Sequence, residues 1–292
     1  MISIIIASAS PDQLRQVTEN IEISIGVPFE IIATNNHDGN KGICEIYNSG
    51  IHKAKYDMLC FMHEDILIKT NDWGKQVLNF FTTHDDYGLL GIGGSEYKSL
   101  APSGWNPTGI ETAYINLIQR FKYKQQQPFH YYKNPGEKEF AEVTCVDGVW
   151  LCTPKAIAAE VMFDEITFKG FHAYDLDFSL SIGQNHKVGV TFDVLIDHFS
   201  EGSYDAEWIV ATLDLHKKWN PRLPLNLKPV SKKQMLYAEK STFRFFIDQL
   251  ILLKFPRRVA FEMLYYKNSF FKLSPKLFLK LYFTILKKYA KA

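Results

Sequence analysis

Tyr56-Asp57-Met58-Leu59-Cys60-Phe61-Met62, with His63-Glu64-Asp65 directly behind it, reads as a buried strand that delivers carboxylates at its carboxyl end. A short continuous apolar run suits a strand covered on both faces, as in a parallel sheet. Upstream, Ser3-Ile4-Ile5-Ile6-Ala7-Ser8 and Phe29-Glu30-Ile31-Ile32-Ala33-Thr34 have the same character, and helical patterns over residues 11–23 and 43–53 alternate with them. Strand, helix, strand, helix, strand is the pattern of an α/β fold, a mostly parallel sheet flanked by helices. Ligands of such sheets collect beyond the carboxyl ends of the strands. Residues 8–10, 35–40 and 63–65 are therefore expected to converge on one crevice.

Downstream, residues 73–81 read as a helix and 88–92 as a strand. Residues 97–140 are rich in Tyr, Gln, Pro and Lys and show little periodicity, so a long loop near the site is expected there. Val143-Thr144-Cys145-Val146 resumes a strand, and Thr153-Pro154-Lys155 opens a helix. Another helix is expected over 175–184 and a strand over 187–192. Residues 231–292 carry only helical patterns. Pro256 parts a helix near 235–254 from one starting near Arg257, and Ser274-Pro275 is a cap followed by a first-turn proline. The expected division is a catalytic domain over 1–230 and a basic amphipathic helical extension over 231–292.

A content of 46% hydrophobic and 14% aromatic residues excludes disorder as the main state. No apolar run reaches roughly 18 residues, so no spanning helix is expected. Met1-Ile2-Ser3-Ile4 lacks the basic start of a secretory signal, which predicts a cytoplasmic protein. Cys44, Cys60, Cys145 and Cys152 have no zinc-type spacing and read as reduced, half-buried thiols. The formal net charge of +1 conceals an asymmetry. Residues 232–292 hold 14 Lys/Arg against 3 Asp/Glu, whereas 1–231 hold 19 against 29. The acidic part suits a cation. The basic part suits an anionic surface, and its apolar helices favour a membrane face or protein, a second copy included, over nucleic acid.

Five pieces stand in order along residues 1–225. They are Ile4-Ile5-Ile6-Ala7-Ser8; Asn40-Lys41-Gly42 with Asn48-Ser49-Gly50; the 56–65 strand and its acidic end; Val146-Asp147-Gly148-Val149-Trp150; and Gly170-Phe171-His172-Ala173-Tyr174-Asp175-Leu176-Asp177-Phe178-Ser179-Leu180. In this order and spacing they resemble the family 2 glycosyltransferases, with their GT-A nucleotide-diphospho-sugar transferase fold, and more narrowly their bacterial glycosyltransferase-like relatives. There are departures. His63-Glu64-Asp65 matches only the last position of the family's D-x-D, and Tyr174 stands where a Glu usually precedes the base. No Q-x-x-R-W is present, Trp219 being its nearest echo, which points away from processive synthesis.

The resemblance implies an inverting, metal-assisted transfer of a sugar from a nucleoside-diphosphate donor, UDP-linked, to a hydroxyl of a cell-surface glycan or lipid-linked acceptor. It assigns Mn²⁺ or Mg²⁺ to Asp65 and His198, and the base to Asp175 with Asp177 beside it. Ala7, Ser8, Ser10, Asn35, Asn36, Asn48 and Glu64 would hold the nucleotide-sugar. Gly148, Trp150 and His172 would frame the acceptor. The residues alone permit plainer roles. His63-Glu64-Asp65 can be a solvated turn and His198 a strand-end hydrogen bond. Asp175 and Asp177 can cap a helix, the Ser and Asn residues can make turns, and Trp150 can be core. Two rival functions remain open. A nucleotidyltransferase would want a Gly/Lys/Arg-rich loop after the first strand, which Ala7-Ser8-Ala9-Ser10-Pro11-Asp12 is not. A catalytically degenerate sugar- or nucleotide-binding protein fits the departures at His63 and Tyr174.

Overall fold

The computed structural model describes residues 1–292 except 123, 124, 201 and 203. β1 (Ile2–Ser8) is buried along most of its length and has parallel neighbours on both sides. One is β2 (Phe29–Asn35), with Ser8 opposite Asn35; the other is β3 (Met58–Met62), with Ile6 opposite Met62. The connections run through α1 (Pro11–Ser24), capped by the Ser10 hydroxyl accepting from Gln13 N, and α2 (Ile43–Lys53). The chain continues through β4 (Ile66–Ile68), α3 (Trp73–Thr83), β5 (Tyr87–Gly91), β6 (Gly93–Ser95) and β7 (Tyr97–Lys98). Then come β8 (Ala113–Gln119), β9 (Phe129–Lys133), β10 (Phe140–Val143), β11 (Cys145–Val146) and β12 (Trp150–Pro154). α4 (Lys155–Val161), α5 (Tyr174–Ile182), β13 (Lys187–Thr191) and β14 (Ile196–His198) follow. The last elements are α6 (Ala206–Trp219), β15 (Leu225–Asn226), α7 (Lys232–Leu252), α8 (Arg257–Tyr265), α9 (Ser269–Leu273) and α10 (Pro275–Tyr289).

The larger sheet has the order β10-β13-β5-β12-β3-β1-β2. All its strands are parallel except β10 and β12. Reversal of β12 has a consequence for the site: Trp150 lies opposite Met62, so the segment entering β12 meets the segment leaving β3. The smaller sheet has the order β11-β6-β8-β14-β4, with β9 paired to β8. The region expected as a long loop thus contains an antiparallel strand pair. Its alternation was hidden because the first five residues of β8 are all buried while β9 is largely exposed.

Packing divides the chain into two compact units, residues 1–95 with 113–202 and residues 96–112 with 203–292. The division does not fall at residue 230, because two buried side chains hold the 97–104 loop within the second unit. His216 on α6 accepts from Ser103 N, and Glu239 on α7 accepts from Leu100 N, Ala101 N and the Tyr97 hydroxyl. β7 also pairs with β15 in this unit. α10 packs on α7, α8 and α9 and starts as its sequence dictates, with Ser274 Oγ accepting from Leu277 N at 3.2 Å. The four cysteines are fully rather than half buried, since three of them lie on sheet strands. Among the described residues no helix is long and apolar enough to cross a membrane.

Candidate active site

All five residues of β3 are buried, and the chain then carries His63, Glu64 and Asp65 beyond its carboxyl end. His63 N donates to Val149 O at 3.1 Å, which fixes this turn to the start of β12. The other wall comes from β14, antiparallel to β4 with His198 opposite Ile66, so that Phe199 N donates to Asp65 O at 2.9 Å. Arg120 grips the neighbouring Asp197 through two nitrogens at 2.6 and 2.8 Å and anchors β14.

The result is a cluster of His63, Asp65 and His198, whose ligand-type atoms all lie within 4.8 Å of one another. Asp65 Oδ1 is 3.8 Å from His63 Nδ1 and 3.7 Å from His198 Nε2, while its Oδ2 accepts from the Ser200 hydroxyl at 2.5 Å. Burial alone would push the Asp65 carboxyl up, but the two imidazoles and the Ser200 hydroxyl hold it below its ordinary value. Burial keeps His63 below its usual range, against the pull of Asp65. An ionised carboxylate and a neutral imidazole are the forms that bind metal. Side-chain atoms about 2.1 Å from one ion lie roughly 3–4.2 Å apart, and the observed 3.7 and 3.8 Å fall within that range. His198 Nδ1 and Glu64 Oε2 are buried with no hydrogen-bond partner among the described residues. The residues present fit a divalent cation.

The segment expected to face the acceptor adjoins this cluster. Ala173 holds φ at 66°, a left-handed conformation that costs a non-glycine residue roughly 1–2 kcal/mol. The turn brings Tyr174 and Asp175 against Gly148. The Tyr174 hydroxyl donates to Gly148 O at 3.0 Å and lies 2.9 Å from His63 Nε2. Asp175 Oδ2 accepts from Gly148 N at 3.0 Å. Burial, and then the neighbouring charge of Asp147, push the Asp175 carboxyl up to about 7. Asp65 and Asp175 are thus linked through His63 and Tyr174 on one side of the sheet.

The residues expected to hold the donor are also gathered, with one exception. Asn36 N donates to Ser8 O, and the Asn35 and Asn36 side chains hold turns through His37 N and Lys41. Glu64 Oε1 accepts from both Ala9 N and Ser10 N at 3.0 Å, tying the loop after β1 to the end of β3. Asn48 is the exception. Its amide donates to Phe163 O and Glu165 and accepts from Phe163 N, so it pins the 163–165 loop to α2.

Two further expectations need correction. Trp150 is fully buried and packs edge-on against Trp73, so it has no open face for a sugar ring. Asp177 is 3% exposed and turned inward, where its charge, after burial, helps push the Cys44 thiol up to about 12. His172 stays half-exposed beside Phe171, with ring centroids 6.2 Å apart. Phe171 was not singled out from the sequence. It is 52% exposed, and its ring lies 5.2 Å from His63 and 6.0 Å from Tyr174. Its place between Gly170 and His172 in an otherwise site-forming run was the available signal.

Comparisons with known proteins bear on the family and the fold. The model of the family described as "Glycosyltransferase like family" matches residues 2–216. No curated protein matches the sequence. The structure of S. aureus TarS 1–349 in complex with UDP-GlcNAc superimposes with a TM-score of 0.51 at 11% identity, covering 99% of this chain and 91% of that one. GalNAc-T7 with UDP, GalNAc and Mn²⁺ gives 0.48 at 10% identity, covering 70% and 44%. At the identity of the TarS match, the likeness is one of fold.

Proposed function

Because the chain belongs to the glycosyltransferase-like family and has its GT-A fold, we propose that it is an inverting, metal-assisted glycosyltransferase. It takes a sugar from a UDP-linked donor and passes it to a hydroxyl of a glycan or a lipid-linked acceptor. What supports this reading is one juxtaposition: the 4.8 Å His63–Asp65–His198 cluster and a carboxyl poised at about 7, joined by the Tyr174–His63 contact.

Asp175 takes the proton of the acceptor hydroxyl, whose oxygen attacks the anomeric carbon on the face opposite the diphosphate. A base whose affinity for protons is matched to neutral pH does this best. Asp65 and His198 would hold the cation, Mn²⁺ or Mg²⁺, which when bound supplies charge neutralisation for the leaving diphosphate. Ala7, Ser8, Ser10, Asn35 and Asn36 line the donor side beyond the strand ends. Glu64 shapes that side by fixing the Ala9 and Ser10 amides. Phe171 takes the stacking role first given to Trp150, with His172 and Gly148 beside it.

The test is UDP release from UDP-sugars with candidate acceptors, with and without Mn²⁺. Asp175→Asn is expected to lower transfer by about 10²–10⁴-fold while leaving UDP affinity in place. A variant as fast as wild type would remove Asp175 from the mechanism. UDP-sugar binding without any turnover would favour the degenerate sugar-binding reading.

The second unit we assign to an anionic lipid surface. On α10, Leu279 and Phe283 are 53% and 63% exposed, one turn apart and next to Lys276, Lys280 and Lys287. Apolar side chains rimmed by lysines suit the headgroup region. Cosedimentation with anionic but not neutral phospholipid vesicles is expected, and Leu279→Ser with Phe283→Ser should abolish it.

A further inference from the structure

His63 occupies the one position of the acidic turn where a carboxylate would be usual, yet it does not sit idle. Its two ring nitrogens face different partners. Nε2 lies 2.9 Å from the Tyr174 hydroxyl, and Nδ1 faces Asp65 Oδ1 at 3.8 Å. A phenol has a single proton to give. The Tyr174 proton goes to Gly148 O, 3.0 Å away, because a carbonyl only accepts. With its proton so placed, the Tyr174 oxygen is free to accept from His63, the arrangement in which Nε2 carries the hydrogen. In a neutral imidazole this leaves the lone pair on Nδ1, directed at Asp65 and His198.

Resting on the transfer reading above, the geometry points to His63 Nδ1 as a third side-chain ligand of the catalytic cation, with Tyr174 as the positioning residue that fixes its tautomer. At 3.8 Å the Nδ1–Asp65 separation is too long for a hydrogen bond but suits two ligands of one ion. The ring is held from its other side as well, by Phe171 with centroids 5.2 Å apart. Tyr174 is itself fixed, since its ring meets Tyr47 edge-on at 5.7 Å and its hydroxyl abuts Gly148. Two imidazoles and one carboxylate form a donor set that favours a transition ion over Mg²⁺, whose preference is for oxygen. The site is therefore selective for Mn²⁺, and Tyr174 sets that selectivity without touching the ion.

The experiment uses the full chain and Mn²⁺ alone as probe. Electron-spin-echo modulation of bound Mn²⁺ should report two imidazole nitrogens in the wild type and one in His63→Gln. Nitrogen-15 NMR of the metal-free protein should find His63 protonated on Nε2, and Tyr174→Phe should lose that preference. Removing an outer partner of a ligating histidine weakens metal binding by about 10–100-fold. Tyr174→Phe should therefore lose about tenfold in Mn²⁺ affinity, with little change for Mg²⁺. A wild type that binds no Mn²⁺, a His63→Gln variant with unchanged modulation and affinity, or a Tyr174→Phe variant with unchanged tautomer and affinity would each overturn the inference. If His63→Gln binds Mn²⁺ as the wild type does and still releases UDP from a UDP-sugar, the inference falls and the transfer reading stands. If the wild type neither binds nor turns over UDP-sugars, the transfer reading falls, and the NMR arm still decides the Tyr174–His63 relation.

Discussion

Each compact unit buries a group of charged and polar side chains, and the two groups are finished to different degrees. In the second unit Lys98 and Glu239 are inaccessible to solvent, and every contact closes. Lys98 Nζ donates to Ser103 O, Ser103 Oγ and Gly104 O and touches His216 Nε2 at 3.1 Å, while His216 Nδ1 donates to Leu100 O. Glu239 meets three donors. In the first unit, by contrast, His198 Nδ1 and Glu64 Oε2 are left buried without a partner among the described residues, and Asp65 faces two imidazoles at distances too long for hydrogen bonds. A closed polar network fixes a fold. An open one holds capacity in reserve for something that binds.

The largest effect expected from this contrast is on stability. Glu239→Ala leaves Leu100 N, Ala101 N and the Tyr97 hydroxyl buried without an acceptor, at a cost of about 3–5 kcal/mol. The urea midpoint of the full chain should fall accordingly, while the folded fraction keeps its UDP affinity. Unchanged stability with lost UDP binding would invert the assignment of the two clusters.

Smaller effects should follow the Asp175 carboxyl. Its value of about 7 lies above that of an unfolded chain. Transfer needs the ionised form, so the rate should climb about tenfold per pH unit below 7 and level off above it. Stability should run the other way. A raised carboxyl contributes fully at pH below about 4, where both states are protonated, and that contribution is lost as the pH rises through about 7. Asp175→Asn should flatten both profiles, read by initial rates and by urea melts between pH 4 and 8. A stability profile that keeps its slope in the variant would mean that another group titrates there.

Much of this was legible from local pattern. The apolar runs of β1, β2 and β3 and the cap at Ser274 are short-range features, and the α/β class followed from the runs. Asp65, His198 and Asp175 were named by resemblance, and the fold brings them into one region. What remained hidden depends on long-range packing. β9 carries no clean alternation because it lies exposed at a sheet margin. Trp150 looked available because sequence cannot reveal Trp73 against it. The contact between His63 and Tyr174 joins residues 111 apart in the chain. The packing units differ from a division at residue 230 for the same reason, since Glu239 holds a loop some 138 residues upstream.

Gly148 owes its identity to what stands beside it. A methyl group there would come within 2.2 Å of the Tyr174 oxygen and 2.6 Å of its ring. The phenol would have to swing away, and the imidazole leaning on it would be released. Under the transfer reading proposed above, a bare backbone on the acceptor side thus governs the ring on the metal side. On that reading, evolution or engineering that thickens the chain at this point to suit a new acceptor would, in the same stroke, retune the appetite for metal.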